Sequence, residues 1–263
     1  MKQSVLPGTD LAVSRLSFGT ASLHHLPSSA ARQALLAAAL DYGFSHFDTA
    51  PSYGLGISEW ELGKFLRSRP SGVTVASKAG LYPPGGTPRH GTVSVWLRKG
   101  MGKLLPALSA PMVDWSVASA AKSLEQSLRV LHRDCLDVLF LHEPTPGLLD
   151  ADDFLKWLQQ QRSAGKIRYW GLAGPLKRFA GWAQHPLAQV LQIRDGADGA
   201  GTVQLRQTGR EPQFTYGCLS SVRDEGFSAI DAVKAALKKN PAGSVLVATR
   251  KITHLPALVQ AAE

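Results

Sequence analysis

Short apolar runs alternate with amphipathic stretches along most of the chain. The apolar runs are "RLSFGT" (15–20), "FSHFDT" (44–49), "GVTVASKAG" (72–80), "LDVLFLHEP" (136–144), "KIRYWGLAG" (166–174), "AQVLQIRD" (188–195), "QFTYGCL" (213–219) and "GSVLVATR" (243–250). Their length and β-branched content predict strands. Between them lie segments with helical spacing. "SAARQALLAAALDYG" (29–43) has Ser28 or Ser29 as a cap and Gly43 as a stop. "SEWELGKFLRSR" (58–69) has Ser58 and Glu61 at capping-box spacing. In "SVASAAKSLEQSLRVLH" (116–132), Leu124, Leu128 and Leu131 share one face. "DADDFLKWLQQQRSAG" (150–165) starts acidic, as the helix dipole favours, and Gly165 ends it. Helix is also expected in 175–185, 228–240 and 252–263, with at most a short one in 196–211. The stretch 81–114, with Pro83, Pro84, Gly85 and Gly86, reads as a long loop.

Strand–helix alternation implies an α/β fold with parallel pairing, because parallel neighbours need a crossover. Eight such units predict closure into a (β/α)8 TIM barrel, here as one domain over 1–263. The rival is an open doubly wound sheet, which usually carries a Gly-rich phosphate turn after its first strand. That turn reads "FGTASLHH" here and has no G-x-G-x-x-G.

Composition adds little to the fold but narrows the setting. The chain has 263 residues, 44% hydrophobic and 19% charged, an ordinary globular balance. Its two cysteines, Cys135 and Cys218, cannot make a disulfide framework and are expected as buried thiols in a reducing compartment. The start "MKQSVLPGTDLAV" lacks a signal-peptide pattern, and no apolar run could cross a bilayer, so a cytoplasmic protein without a membrane partner is expected. The net charge of +9 is spread along the chain, densest at 89–103. A solvated basic loop or an anion site explains it better than nucleic-acid binding, which is not expected.

The chemistry-bearing residues sit at strand ends. Asp48 finishes the second strand, Lys78 the third and His142 the fourth, while Tyr53 lies in the loop after Asp48. In a parallel barrel the strand ends form the working rim. Taken singly, each residue has a structural use as a cap, a surface charge or a packing ring. Together they suit acid catalysis. A free phenol has a pKa of about 10, and a neighbouring ammonium should lower it. A carboxylate keeps the ammonium charged, and a neutral imidazole can hydrogen-bond an oxygen at the same point. The set would donate a proton to a developing oxyanion, as carbonyl reduction requires. No side chain supplies hydride, so a nicotinamide cofactor is implied.

"FDTAPSYG", "SKAG", "LDVLFLHEP" and "GKIRYWGLAG" resemble, in order and spacing, the pattern of the aldo-keto reductase superfamily. The resemblance runs over essentially the whole chain. It implies a hairpin at about residues 3–13 over the barrel bottom. It also implies Tyr53 as general acid, tuned by Lys78 and Asp48, with His142 orienting the carbonyl. NADPH bound across the strand ends is implied as well. By the same resemblance Thr20, Asp48, Gln192, Tyr216, Leu219 and Ser221 contact the cofactor. Thr249 and Arg250 match the grip on the adenosine 2′-phosphate, and an Arg fork suits a phosphate dianion, so NADPH is favoured over NADH. Several positions depart from the family. Ala173-Gly174 replaces a Ser-Asn pair that holds the carboxamide, Ala248 replaces a glycine, and Ala257-Leu258 replaces a Glu-Asn pair near adenine. The sixth helix region is short, and no long C-terminal extension is expected after the eighth helix.

An NADPH-dependent reductase of aldehydes or ketones, or the reverse, is therefore expected. The alternative is a cofactor-sensing or partner-binding barrel with little turnover. Trp96, Trp115, Arg89 and Arg98 are expected to shape the pocket for a small carbonyl or alcohol substrate. Substrate and oligomeric state are not legible.

Overall fold

Serine and aspartate hydroxyls and carboxylates start most of the helices, each accepting from the backbone N–H three residues on. Ser28 accepts from Ala31 at 3.1 Å and starts α1 (Ser29–Asp41). Ser116, Asp150 and Ser228 do the same for Val117–Leu131, Ala151–Ser163 and Ala229–Lys239. Leu124, Leu128 and Leu131 are buried, so the apolar stripe of Val117–Leu131 is the face that packs. The helix Ile57–Arg67 differs from expectation. Its N-cap is Gly56 in a left-handed conformation, not Ser58. Ser58 is buried and donates instead to Thr20 O at 2.9 Å. Glu61 turns to α1, accepting from Ser29 and Gln33 at 2.8 Å and pairing with the buried Arg32. Tertiary partners thus outcompete the local capping box.

The computed structural model describes residues 1–68, 72–84, 111–196, 198–220 and 228–263. Eight strands close into a parallel barrel: Leu16–Gly19, His46–Asp48, Thr74–Ala79, Leu136–His142, Ile167–Gly174, Val190–Arg194, Phe214–Tyr216 and Ser244–Val247. They are the eight strands expected from the alternation, in sequence order, and the last pairs with the first through Leu246↔Ser17. The open-sheet rival is excluded by this closure. Helix cover is uneven. Segment 175–185 forms two short 3-10 turns, Leu176–Arg178 and Ala180–Trp182, rather than the expected helix. The expected short helix in 196–211 is Ala200–Arg206. The loop expected over 81–114 includes a small antiparallel pair, Leu81–Tyr82 with Met112–Val113. Its middle, with Trp96, Arg89, Arg98 and most of the basic stretch, lies outside the described residues.

An N-terminal hairpin, Gln3–Val5 with Ala12–Ser14, is present where expected. Leu6, Leu11 and Val13 join the inner core formed by Ala76, Val138, Phe140 and Phe214. The hairpin is tied to the strand-entry end. Ser14 N–H donates to Ser45 Oγ at 2.8 Å, and Gln213 Nε2 to Pro7 O at 3.0 Å. That end is plugged, so a ligand must enter from the other end. Trp115 is buried in the core, packed on Phe154 and against Gly80. Cys218 is buried as expected, but Cys135 is only part-buried; neither forms a disulfide.

Candidate active site

Strand register brings the predicted polar residues together. Asp48 lies beside Ala76, two residues before Lys78, and His142 beside Ala173. Lys78 Nζ donates to both oxygens of Asp48, each at 2.6 Å, and to Thr49 O at 2.9 Å. Asp48 Oδ1 also accepts from Gln192 Nε2 at 2.7 Å. The pair is almost fully buried, with side-chain exposures of 1% and 3%. Each charge therefore depends on the other, since an unpaired buried ion is costly.

Tyr53 opens the turn Tyr53–Gly56, in which Gly54 and Leu55 both have left-handed backbones. A Cβ on Gly54 would lie 2.4 Å from His24, so only glycine lets the turn press down there. The turn sets the Tyr53 ring over the ion pair, with Lys78 Nζ 4.9 Å from its centroid. The His142 ring meets Tyr53 edge-on at 5.8 Å and 84°. The His142 Nδ1 atom is buried without a hydrogen-bond partner.

One electrostatic expectation is reversed. The Tyr53 phenol is held well above its ordinary value, first by burial and then by the charges of Asp48 and Glu143. Burial and the two carboxylates together outweigh the pull of the Lys78 ammonium on the phenol. Burial, opposed by Asp48, pulls Lys78 below the usual lysine value. Burial and then Lys78 push His142 well below the usual imidazole range, so its ring is neutral. At neutral pH the result is a protonated phenol beside a neutral imidazole, and because the phenol is a weaker acid than in water, only charge building on a bound oxygen can draw its proton.

A cavity of about 680 Å³ opens above these groups. Asp48, Tyr53, His142, Gln192, Tyr216 and Leu219 line it, together with Glu143, Gly174 and Ser220. Of the residues expected to touch cofactor, Thr20 is buried behind the wall, where its hydroxyl donates to Asp48 O at 3.0 Å. Its neighbours Gly19 and Ala21 reach the cavity instead. The Thr249 hydroxyl accepts from Lys251 N–H at 3.1 Å and bonds His254 Nδ1, and Arg250 is exposed beside it. Neither lines the cavity, although Val247 and Ala248 just before them do. Ser221 lies outside the described residues.

Glu143 was not anticipated. It directly follows His142 and carries a left-handed φ of 53°. The signal available in sequence was a carboxylate between the strand-end His142 and Pro144. Gly174 leaves space for it: a Cβ there would sit 3.0 Å from Glu143 Cγ.

The residues present fit a nicotinamide. The aromatic wall of Tyr216, the buried amide of Gln192 and the orphaned His142 Nδ1 surround a space that admits a planar ring and a small carbonyl.

Comparison with known proteins gives a consistent result. A sequence model described as the aldo/keto reductase family matches residues 15–183. L-galactose dehydrogenase of Arabidopsis thaliana is 30% identical over 183 residues, 66% of this chain and 49% of that protein. D-threo-aldose 1-dehydrogenase of Pseudomonas sp is 33% identical over 176 residues, 62% of this chain and 50% of that protein. The matched region thus spans about half the length of these relatives. Among solved structures, an aldo-keto reductase from Klebsiella pneumoniae in complex with NADPH superposes with a TM-score of 0.71 at 19% identity. That superposition covers 100% of this chain and 90% of the other.

Proposed function

The chain belongs to the aldo/keto reductase family, and from that premise we propose that it is an oxidoreductase interconverting a carbonyl and an alcohol with NADPH. The observation that carries this reading is geometric: the Tyr53 and His142 rings meet edge-on and both line the cavity over the Lys78–Asp48 pair. In the reduction, the Tyr53 hydroxyl gives its proton to the carbonyl oxygen as that oxygen gains charge. The neutral His142 ring orients the same oxygen by a hydrogen bond. Lys78 steadies the negative charge left on Tyr53, and Asp48 fixes Lys78. When bound, the nicotinamide supplies the hydride that no side chain can. Gln192 and Tyr216 would hold its ring.

Two features support NADPH over NADH. Arg250 is exposed beside Thr249, just past the cavity wall, where its fork can meet a phosphate dianion. The net charge of +9 favours approach of a polyphosphorylated cofactor. Two relatives are named as dehydrogenases of L-galactose and of D-threo-aldose, which supports testing hydroxylated small molecules first. We place this activity on the barrel over 1–263 and in the cytoplasm, where unpaired thiols such as Cys135 persist. Among the described residues no helix is long and apolar enough to cross a membrane.

The test follows NADPH absorbance with a panel of aldehydes. Tyr53→Phe should lower turnover by at least about a hundredfold while NADPH still quenches tryptophan fluorescence. Equal turnover in the two proteins would overturn the role of Tyr53. Tight NADPH binding with no turnover of any carbonyl would favour a cofactor-sensing barrel instead.

A further inference from the structure

Among the described residues that line the cavity are two carboxylates, Asp48 and Glu143, and they are held differently. Asp48 is saturated by Lys78 and Gln192. Glu143, the residue after His142, lines the same cavity with its side chain one-third exposed. Its position is built rather than incidental. The left-handed backbone at Glu143 is unfavourable for a residue with a Cβ, and surrounding contacts must enforce it. Its N–H donates to Ala173 O at 2.6 Å, which fixes the turn. The turn lays the side chain against Gly174, where an added Cβ would press on Glu143 Cγ at 3.0 Å and Cα at 3.2 Å and would also strain a φ of +148°. Arg178 Nε meets Glu143 Oε2 at 3.3 Å from the rim.

We infer that Glu143 selects the substrate, accepting hydrogen bonds from hydroxyl groups next to the reacting carbonyl. The inference rests on the oxidoreductase reading above and names the substrate class for that site. The reacting oxygen belongs between Tyr53 and His142, and Glu143 is the residue after His142. All three line one cavity, so a hydroxyl on a carbon near the carbonyl is the group we assign to Glu143. A carboxylate oxygen accepts but cannot donate, so it recognises hydroxyls rather than ethers or carbonyls. Arg178 offsets the charge, which weakens any preference for cations while leaving the lone pairs available. Burial first, and the Glu143 charge after it, raise both Tyr53 and Tyr216, so that charge reaches both of these cavity-lining rings. A substrate carrying its own carboxylate would meet that field and be disfavoured.

The experiment compares kcat/KM for glyceraldehyde, propanal and succinic semialdehyde with NADPH in the wild-type protein, Glu143→Gln and Glu143→Leu. The wild-type protein should prefer glyceraldehyde to propanal, and Glu143→Leu should cut that ratio by at least about tenfold, through KM more than kcat. Glu143→Gln keeps an accepting oxygen and should retain most of the ratio, while its relative rate on succinic semialdehyde rises. Gly174→Ala, which displaces Glu143 without removing it, should reduce the ratio in the same direction as Glu143→Leu. An unchanged ratio in Glu143→Leu would overturn the inference and leave the reductase reading intact. Loss of NADPH affinity in Glu143→Leu, with the ratio preserved, would assign Glu143 to the cofactor and also overturn it. No turnover of any of the three by the wild-type protein would overturn both readings.

Discussion

Lys78 Nζ lies 2.6 Å from each oxygen of Asp48, and the two side chains are sealed from solvent beneath the Tyr53 ring. Such a pair contributes little net stability when intact but is expensive to break, because one charge is left buried alone. Asp48→Asn and Lys78→Met should each destabilise the fold by about 3–5 kcal/mol. The double variant should be less destabilised than the sum of the two. Urea unfolding of all four proteins measures this, and simple additivity would show that the two charges are not coupled.

Stability should fall as the solution is acidified below neutral. Burial, with Lys78 nearby, depresses His46 to about 3, and its ring stacks on Phe214 at 4.7 Å. The unfolded chain binds a proton at His46 below about pH 6.5, while the folded chain refuses it until far lower. Stability is thus complete above 6.5 and declines on going down towards 3, by about 1.4 kcal/mol per pH unit for this one site. His142, depressed for the same reason, adds to the slope. Between pH 7 and pH 5 His46 alone should remove about 2 kcal/mol. His46→Phe should flatten the urea-derived slope by one proton, whatever its effect at pH 7. An unchanged slope would mean that His46 charges in the folded state.

The pH profile of carbonyl reduction should have its basic limb above pH 10, because burial and nearby carboxylates raise Tyr53 above the ordinary phenol value of about 10. The acid form is the working form in this direction, so kcat/KM stays level until the phenol ionises. Glu143 is one of the charges that raise Tyr53. Glu143→Gln removes it, makes ionisation easier and should move the limb to lower pH. A limb near 8 in the wild-type protein would restore the sequence-based expectation that Lys78 controls the phenol.

How much of this was legible beforehand depended on whether partners were local or distant. The strand ends at Asp48, Lys78 and His142 could be read because apolar alternation marks where each strand stops. The cap at Ser28 could be read, with Ser29 as its alternative, because the backbone N–H it accepts from lies only three residues on. Glu61 could not, because its partners Ser29, Arg32 and Gln33 belong to another helix. The sign of the Tyr53 shift was hidden for a similar reason. Proximity to Lys78 was inferable, but the burial and the carboxylates that outweigh it depend on the assembled fold. Glu143 escaped notice because a left-handed φ at a residue with a Cβ leaves no compositional mark. The turns in 175–185 show the limit of helical spacing: Pro175 and Gly181 interrupt a stretch too short to nucleate.

Gly63 holds together the two helices that carry the site's outer support. It lies in Ile57–Arg67, the helix that follows the Tyr53 turn, and faces the C-terminal part of Val117–Leu131. A Cβ at Gly63 would fall 1.8 Å from Val130 O and 3.1 Å from Leu131 Cα. Backbone, unlike a flexible side chain, cannot yield there, so the helices would have to separate. Ordinarily alanine favours a helix over glycine by about 1 kcal/mol, and at an open position Gly63→Ala would stabilise. Here overpacking should dominate and the variant should lose at least about 2 kcal/mol. Gly147→Ala is a useful control, since an added Cβ there meets nothing within 4 Å. Thermal and urea unfolding should show a clear drop for Gly63→Ala and little change for Gly147→Ala. A stabilised Gly63→Ala would mean that the helices are not in backbone contact. Because Ile57–Arg67 also carries Glu59, which accepts from Ser77 next to Lys78 at 2.6 Å, a displaced helix should lower turnover as well as stability.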